Sequence, residues 1–305
     1  MIYTIVESIL PIFLVIFIGW IAGKRKIVEF KHRKSLINFV TIISLPLLLF
    51  ETTLKTSIES FTDFKILSII SLGLSIAYYT SYFAFKIFFK VNLNKLAIAS
   101  LTSSFPNVTF MGIPVLLKLY DESVLIMIIL MTIIANVLLV SFTVINIENH
   151  KNKNINPIKH LLKIFNTPMI LAPILGLIFS YFNINFPEVF HSAFSLIGNT
   201  APAVALFVMG IGISNSKLTI SKEISLMIFI KNIITPLIFF ILLISFHIKG
   251  EIFEQILLIS AIPTAAIAPM FASQYEAYEI ESNSASIIGT FLSIVTLGII
   301  IYLIN

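Results

Sequence analysis

The sequence predicts an all-α polytopic membrane protein: ten transmembrane helices arranged as two inverted five-helix repeats, with the fourth and ninth helices broken. Three observations predict it. Of the 305 residues, 58% are hydrophobic and 11% charged, and the mean hydropathy is +1.02, far outside the range of ordinary globular domains. Apolar stretches of about 20 residues, enough to cross about 30 Å of hydrocarbon as helix, follow one another along the chain. Finally, Pro11, Gly19, Pro46 and Pro106 recur 156 or 157 positions later as Pro168, Gly176, Pro202 and Pro263.

The apolar stretches place the first five spans near residues 4–22, 34–54, 64–88, 95–118 and 122–146. Five more follow near 167–183, 191–214, 222–246, 253–274 and 282–303. The first opens directly after Met1 with no basic segment before it, so it is expected to stay as a span. The run over 126–142 is too long and too continuously apolar for the alternating strands of a membrane barrel. The repeats, 1–146 and 167–305, each hold an odd number of spans and therefore enter the membrane from opposite sides. Residues 147–166, the most polar stretch, form the expected cytoplasmic linker, a solvated loop with anionic-lipid contact as the alternative.

Orientation follows from the basic residues, which favour the cytoplasmic side in short loops. One side collects Lys24, Arg25, Lys26, Lys31, Arg33 and Lys34, then Lys86, Lys90 and Lys95, then Lys151, Lys153, Lys159 and Lys163, then Lys217 and Lys222. The other holds Lys55, Lys65, Lys118 and Lys249. Both termini are therefore expected outside the cytoplasm in a multi-pass protein of the cell membrane. The net charge of +5 follows from this topology, and the lipid bilayer, not nucleic acid, is the expected partner. The absence of cysteine excludes disulfides, thiolate metal sites and cysteine nucleophiles.

Spans four and nine are the aligned pair in which the helix is most clearly interrupted. Ser103, Ser104, Phe105, Pro106, Asn107, Val108 and Thr109 precede Gly112 and Pro114 in the first; Ile262, Pro263 and Thr264 precede Pro269 in the second. Proline removes a backbone donor and clashes with the preceding turn. A break at membrane depth is tolerated only against protein or a water-filled cavity, so both are expected to point inward. Each break exposes helix N–H groups and a positive dipole end suited to a carboxylate. Asn107 and Thr264 stand 157 positions apart, and either caps a half-helix or reaches a substrate.

The run Asn107-Val108-Thr109-Phe110-Met111-Gly112-Ile113-Pro114 resembles the Asn-x-x-Phe-x-Gly-x-Pro signature of the auxin efflux carrier family. The resemblance covers essentially the whole chain: ten spans, central loop and outward termini. It implies a scaffold and a transport domain, with helices four and nine crossing at their prolines beside the substrate. It also implies small carboxylate substrates, indole-type acids in plant members and dicarboxylates such as malate or malonate in bacterial ones, and a homodimer. The short central loop is similar to that of bacterial members. Bile acid sodium symporters share a similar architecture, but the span-four motif argues against them.

Among ionisable residues within spans, Lys231 stands out, midway along span eight beside Asn232 and Pro236. It is read as a cation that attracts an anionic substrate, or as an ammonium filling the site of a coupling ion; the competing reading is a structural lysine that satisfies helix carbonyls or snorkels. Asn136, Asn199, Thr200 and Ser44 form a second tier of substrate contacts, against their reading as ordinary interhelical glue. Glu7 and Glu51 are expected at interfacial span ends. No buried acid stands near the broken pair, so proton coupling through a dedicated carboxylate is not expected.

The histidines sit in loops or at span ends, and no metal or nucleotide motif is present, so neither cofactor nor metal is expected, nor an enzyme. The expected activity is secondary transport of a small organic anion by elevator or rocking motion. Asn107, Thr109, Thr264 and Lys231 are its first-choice contacts, Pro106, Pro263 and Pro114 mark the breaks, and Gly112 permits close helix approach. A membrane sensor that keeps the fold without turnover is the alternative from another class.

Overall fold

The computed structural model describes residues 2–54, 63–122, 124–150, 166–184, 186–216 and 218–304. Residues 151–165 of the expected linker, Lys55, Lys217 and the side chain of Glu7 lie outside the described residues. The rest is helical: α1 (Ile2–Lys24), α2 (Phe30–Leu54), α3 (Phe64–Phe88), α4 (Leu93–Ser104), α5 (Val108–Leu119) and α6 (Val124–Ile147). Then come α7 (Pro168–Tyr181), α8 (Glu188–Ser214), α9 (Lys222–Ser245), α10 (Glu251–Ala261), α11 (Ile267–Gln274) and α12 (Glu279–Ile304). Among the described residues α2, α3, α6, α8, α9 and α12 are individually long and apolar enough to cross a membrane. The expected spans four and nine are each divided, into α4 with α5 and α10 with α11.

Local chemistry sets the ends. Asp63 opens α3 by accepting from Lys65 N at 2.8 Å, Asn92 opens α4 by accepting from Lys95 N at 3.0 Å, and Ser221 opens α9 by accepting from Ile224 N at 3.3 Å. Each oxygen satisfies an N–H group that the first helical turn leaves without an internal partner.

Proline also leaves a mark inside the helices. The π-helical turns Phe39–Ser44, Val108–Gly112 and Ile230–Ile234 each end two residues before a proline, at Pro46, Pro114 and Pro236. A wider turn moves the facing carbonyl away from the proline ring and tolerates the missing donor. A fourth π-turn, Asn136–Val140, has no proline after it, and nothing in its surroundings explains it.

Packing follows the sequence offset. Helix α1 packs along the second half of α8, residues 201–214, and α7 packs along the second half of α2, residues 45–54. Both seams are tighter than side chains allow. A Cβ on Gly19 would sit 2.1 Å from the Phe207 carbonyl oxygen, and one on Gly176 would sit 2.7 Å from that of Phe50. Gly176 and Phe207 stand 157 positions after Gly19 and Phe50. Lipid is as apolar as leucine, so helices associate there through close backbone approach and not through burial of apolar surface. The glycines do the work that large apolar residues do in a soluble core.

Candidate functional site

The two helix breaks meet. Pro106 and Thr264 form an isolated antiparallel bridge, in which Asn107 N donates to Pro263 O at 2.8 Å and Ala265 N donates to Phe105 O at 3.0 Å. The prolines explain the arrangement: each ends a helix by lacking an N–H, and the carbonyls and amides released at one break find partners at the other. Four half-helices therefore end or begin at one place.

Side chains complete the junction. Asn107 Oδ1 caps the turn that opens α5, accepting from Phe110 N at 3.4 Å. Thr264 Oγ1 crosses to α4 and donates to Thr102 O at 2.7 Å, while Thr264 O accepts from Ser286 Oγ of α12 at 3.1 Å. Asn107 thus caps a half-helix in this conformation, whereas the Thr264 hydroxyl turns to α4 and leaves the start of α11 without a side-chain cap. Asn107 and Thr264 are each 3% exposed, and Pro106 and Pro263 are buried. Thr109 and Pro114, on the turn beyond, are half-buried.

The π-turn of α9 lies against both first half-helices. Lys231, wholly buried, donates from Nζ to Ser260 O at 2.7 Å, in the last turn of α10. Thr235 Oγ1 shares its one proton between Ile230 O of its own helix at 3.0 Å and Ser103 O, in the last turn of α4, at 3.3 Å. Asn232 Nδ2 donates to Gly289 O of α12 at 2.9 Å, leaving its Oδ1 buried with no hydrogen-bond partner among the described residues. Ser103 and Ser260 are equivalent at the 157-residue offset. Both last-turn carbonyls, which lose their helical donors to the breaks, are met from α9, one by a hydroxyl and the other by an ammonium.

The second-tier residues divide. Ser44 Oγ lies 2.8 Å from Thr200 Oγ1, and both hydroxyls donate to Ile197 O, at 2.7 and 2.6 Å. They form a tie between α2 and α8 at positions 156 apart, away from the breaks. Asn199, beside them, is exposed. Asn136 Nδ2 donates to Thr132 O of its own helix at 2.8 Å, in a π-turn that packs on α4. Gly112 differs from its expected role: a Cβ there would meet Val108 Cγ1 of the same turn at 3.1 Å, not another helix. The close approaches belong to the α1 and α7 seams, at Gly19, Gly23, Gly210 and Gly176.

A second feature lies at the end of α2, where Glu51, expected as an interfacial carboxylate, is buried against a histidine. Glu51, 5% exposed near the end of α2, lies 2.9 Å through Oε1 from His191 Nδ1 at the start of α8. Together with Leu54, Ile184, Glu188, Ser192 and Ser195 they line a cavity of about 510 Å³. Its two carboxylates make it a poor receptor for an anion. The partners are 140 residues apart, and no local pattern joins them. Among the described residues no three acidic or histidine side chains gather as metal ligands.

Residues 4–301 match the family model described as membrane transport protein. The chain is 24% identical over 307 aligned positions to a protein named uncharacterized transporter YfdV in Escherichia coli strain K12, covering 97% of this chain and 96% of the relative. The proteins of the same name in Escherichia coli O157:H7 and Shigella flexneri match to the same extent. The whole-length match and the many long apolar helices together describe a multi-pass membrane transporter. The chain belongs to the membrane transport protein family, that of the auxin efflux carriers.

Proposed function

We propose that the chain is a secondary transporter of a small organic anion, a mono- or dicarboxylate, with its site at the junction of the two helix breaks. The observation that carries the reading is the direct pairing of Pro106 and Asn107 with Pro263 and Thr264. Two helices, α5 and α11, begin there and aim the positive ends of their dipoles at one spot. The buried Lys231 adds positive charge one turn away. Asn107, Thr109, Thr264 and Lys231 are the proposed substrate contacts, with Asn136, Asn199, Thr200 and Ser44 in supporting positions.

The ten spans are proposed to form two inverted repeats. The seam of α1 on 201–214 has its counterpart in that of α7 on 45–54, Ser44 meets Thr200, and the bridge pairs Pro106 with Thr264 and Asn107 with Pro263, two pairs that the 157-residue offset exchanges. That pattern is expected of a pseudo-two-fold axis through the junction. Helices α1, α2, α7 and α8 then act as a scaffold, homodimer contacts included, and the remaining helices carry the substrate by rocking or elevator motion. The basic residues put both termini outside the cytoplasm in a cell inner membrane. Single cysteines at Asn154 and Asn305, clean probes in a chain without cysteine, are expected to react from opposite sides. Reaction of both from one side would break the inverted topology.

The direct test of function is uptake into proteoliposomes of labelled malate, malonate and an indole carboxylate. Saturable, counterflow-competent uptake of at least one is expected. Binding of an anion without any turnover across the panel would instead identify a sensor on a transporter fold.

A further inference from the structure

We infer that the Lys231 ammonium is a resident cation: it holds, as part of the chain, the place at the end of α10 that a monovalent ion would otherwise fill, so transport needs no sodium. The inference rests on the transport reading and deepens its ion requirement. The position carries the negative end of a helix dipole and one carbonyl, Ser260 O, within hydrogen-bond reach. Ser260 is one residue from the end of α10, and the turn Ile262–Pro263 removes the continuation that would satisfy its carbonyl. Unwound carbonyls and half-helix C-termini at a transporter midplane are where coupling cations bind.

The repeat offers an internal comparison. At the equivalent carbonyl, Ser103 O, α9 presents the neutral hydroxyl of Thr235 at 3.3 Å, its proton shared with Ile230 O. One of two matching helix ends has thus been given a cation and the other has not. No carboxylate lies within ion-pair distance of Lys231 among the described residues. The acids of α10, Glu251 and Glu254, stand in its first turn, and Glu254 accepts instead from Tyr120 Oη at 3.1 Å. Glu223 of α9 and Glu279 and Glu281 of α12 sit in the first turns of those helices. The charge of Lys231 is answered by a carbonyl and a helix end and not by a carboxylate.

The test compares wild-type protein with Lys231→Ala and Lys231→Gln in sodium, potassium, methylammonium and choline chlorides, reading both melting temperature and anion uptake. Wild-type protein is expected to behave alike in all four. In choline, Lys231→Ala should lose about tenfold or more in uptake, the scale of one charged hydrogen bond. Small cations should raise its melting temperature and recover uptake, with methylammonium most effective. Lys231→Gln, which keeps a neutral donor, should stay impaired in choline.

Three outcomes overturn the inference: a sodium requirement in the wild type, full activity of Lys231→Gln in choline, or indifference of Lys231→Ala to every cation. If Lys231→Ala yields no folded protein in choline, its folded yield from membranes is compared with and without methylammonium: a higher yield with the cation supports the inference, and an equal one overturns it. The melting shifts need no substrate. Failure of the transport reading would therefore leave them standing, and failure of the resident cation would leave uptake by the wild type intact.

Discussion

Gly210→Val is expected to cost the protein its stable fold in detergent. A Cβ at Gly210 would sit 2.0 Å from Ile16 O, 2.7 Å from Trp20 N and 2.9 Å from Gly19 C. All three are backbone atoms of α1 and cannot swing aside as a side chain would. The helices must part, and parting also empties the contact of Gly19 with Phe207 O, where a Cβ would sit at 2.1 Å. Overpacking of a soluble core costs about 1–3 kcal/mol, and a clash with backbone along a whole seam belongs at or above the top of that range. Gly289→Ala is the control, because its nearest neighbours, Ile228 Cγ1 at 3.7 Å and Asn232 Oδ1 at 3.8 Å, are at ordinary contact. Size-exclusion profiles and thermal melts should show Gly210→Val aggregated or strongly destabilised and Gly289→Ala unchanged. A Gly210→Val protein that melts with the wild type would mean that the α1 seam contributes little.

What the sequence discloses and what it hides divide along the range of the interaction. The breaks at Pro106 and Pro263 are legible because proline acts on its own backbone, whatever surrounds it. The membrane setting is legible because it is a property of composition. That the breaks donate to each other is legible only as an expectation from resemblance, since the Asn107 N to Pro263 O bond joins residues 156 apart. The glycine seams are hidden although their residues mark the repeat: the spacing of Gly19 and Gly176 is visible in the chain, but their contact atoms depend on which helix lies opposite. Gly112 shows the reverse, a motif glycine whose expected helix contact is taken by its own turn. The tie between Glu51 and His191 carries no sequence signal at all. Lys231 lies between: its midspan position marks it as unusual and a helix carbonyl is among its expected partners, but only packing identifies that carbonyl as Ser260 O at the end of α10.

Asn107→Ala is expected to weaken anion binding by about tenfold or more while lowering stability only modestly, and the two effects separate the readings of this residue. The backbone bond from Asn107 N to Pro263 O survives the substitution, so the junction should persist. The cap from Oδ1 to Phe110 N is long, at 3.4 Å, and losing it should cost at most about 1 kcal/mol. A carboxylate seated on the amide would lose a hydrogen bond to a charged group, about 1.5–3 kcal/mol, which is about tenfold or more in affinity. Thr264→Val makes the complementary change, since its hydroxyl already donates to Thr102 O and its loss should loosen α4 as well as any substrate contact. The proposed site therefore predicts unequal signatures: affinity falls first in Asn107→Ala, whereas melting temperature and affinity fall together in Thr264→Val. Unchanged affinity in Asn107→Ala with a small loss of stability would reduce the residue to a helix cap and move the substrate away from the junction.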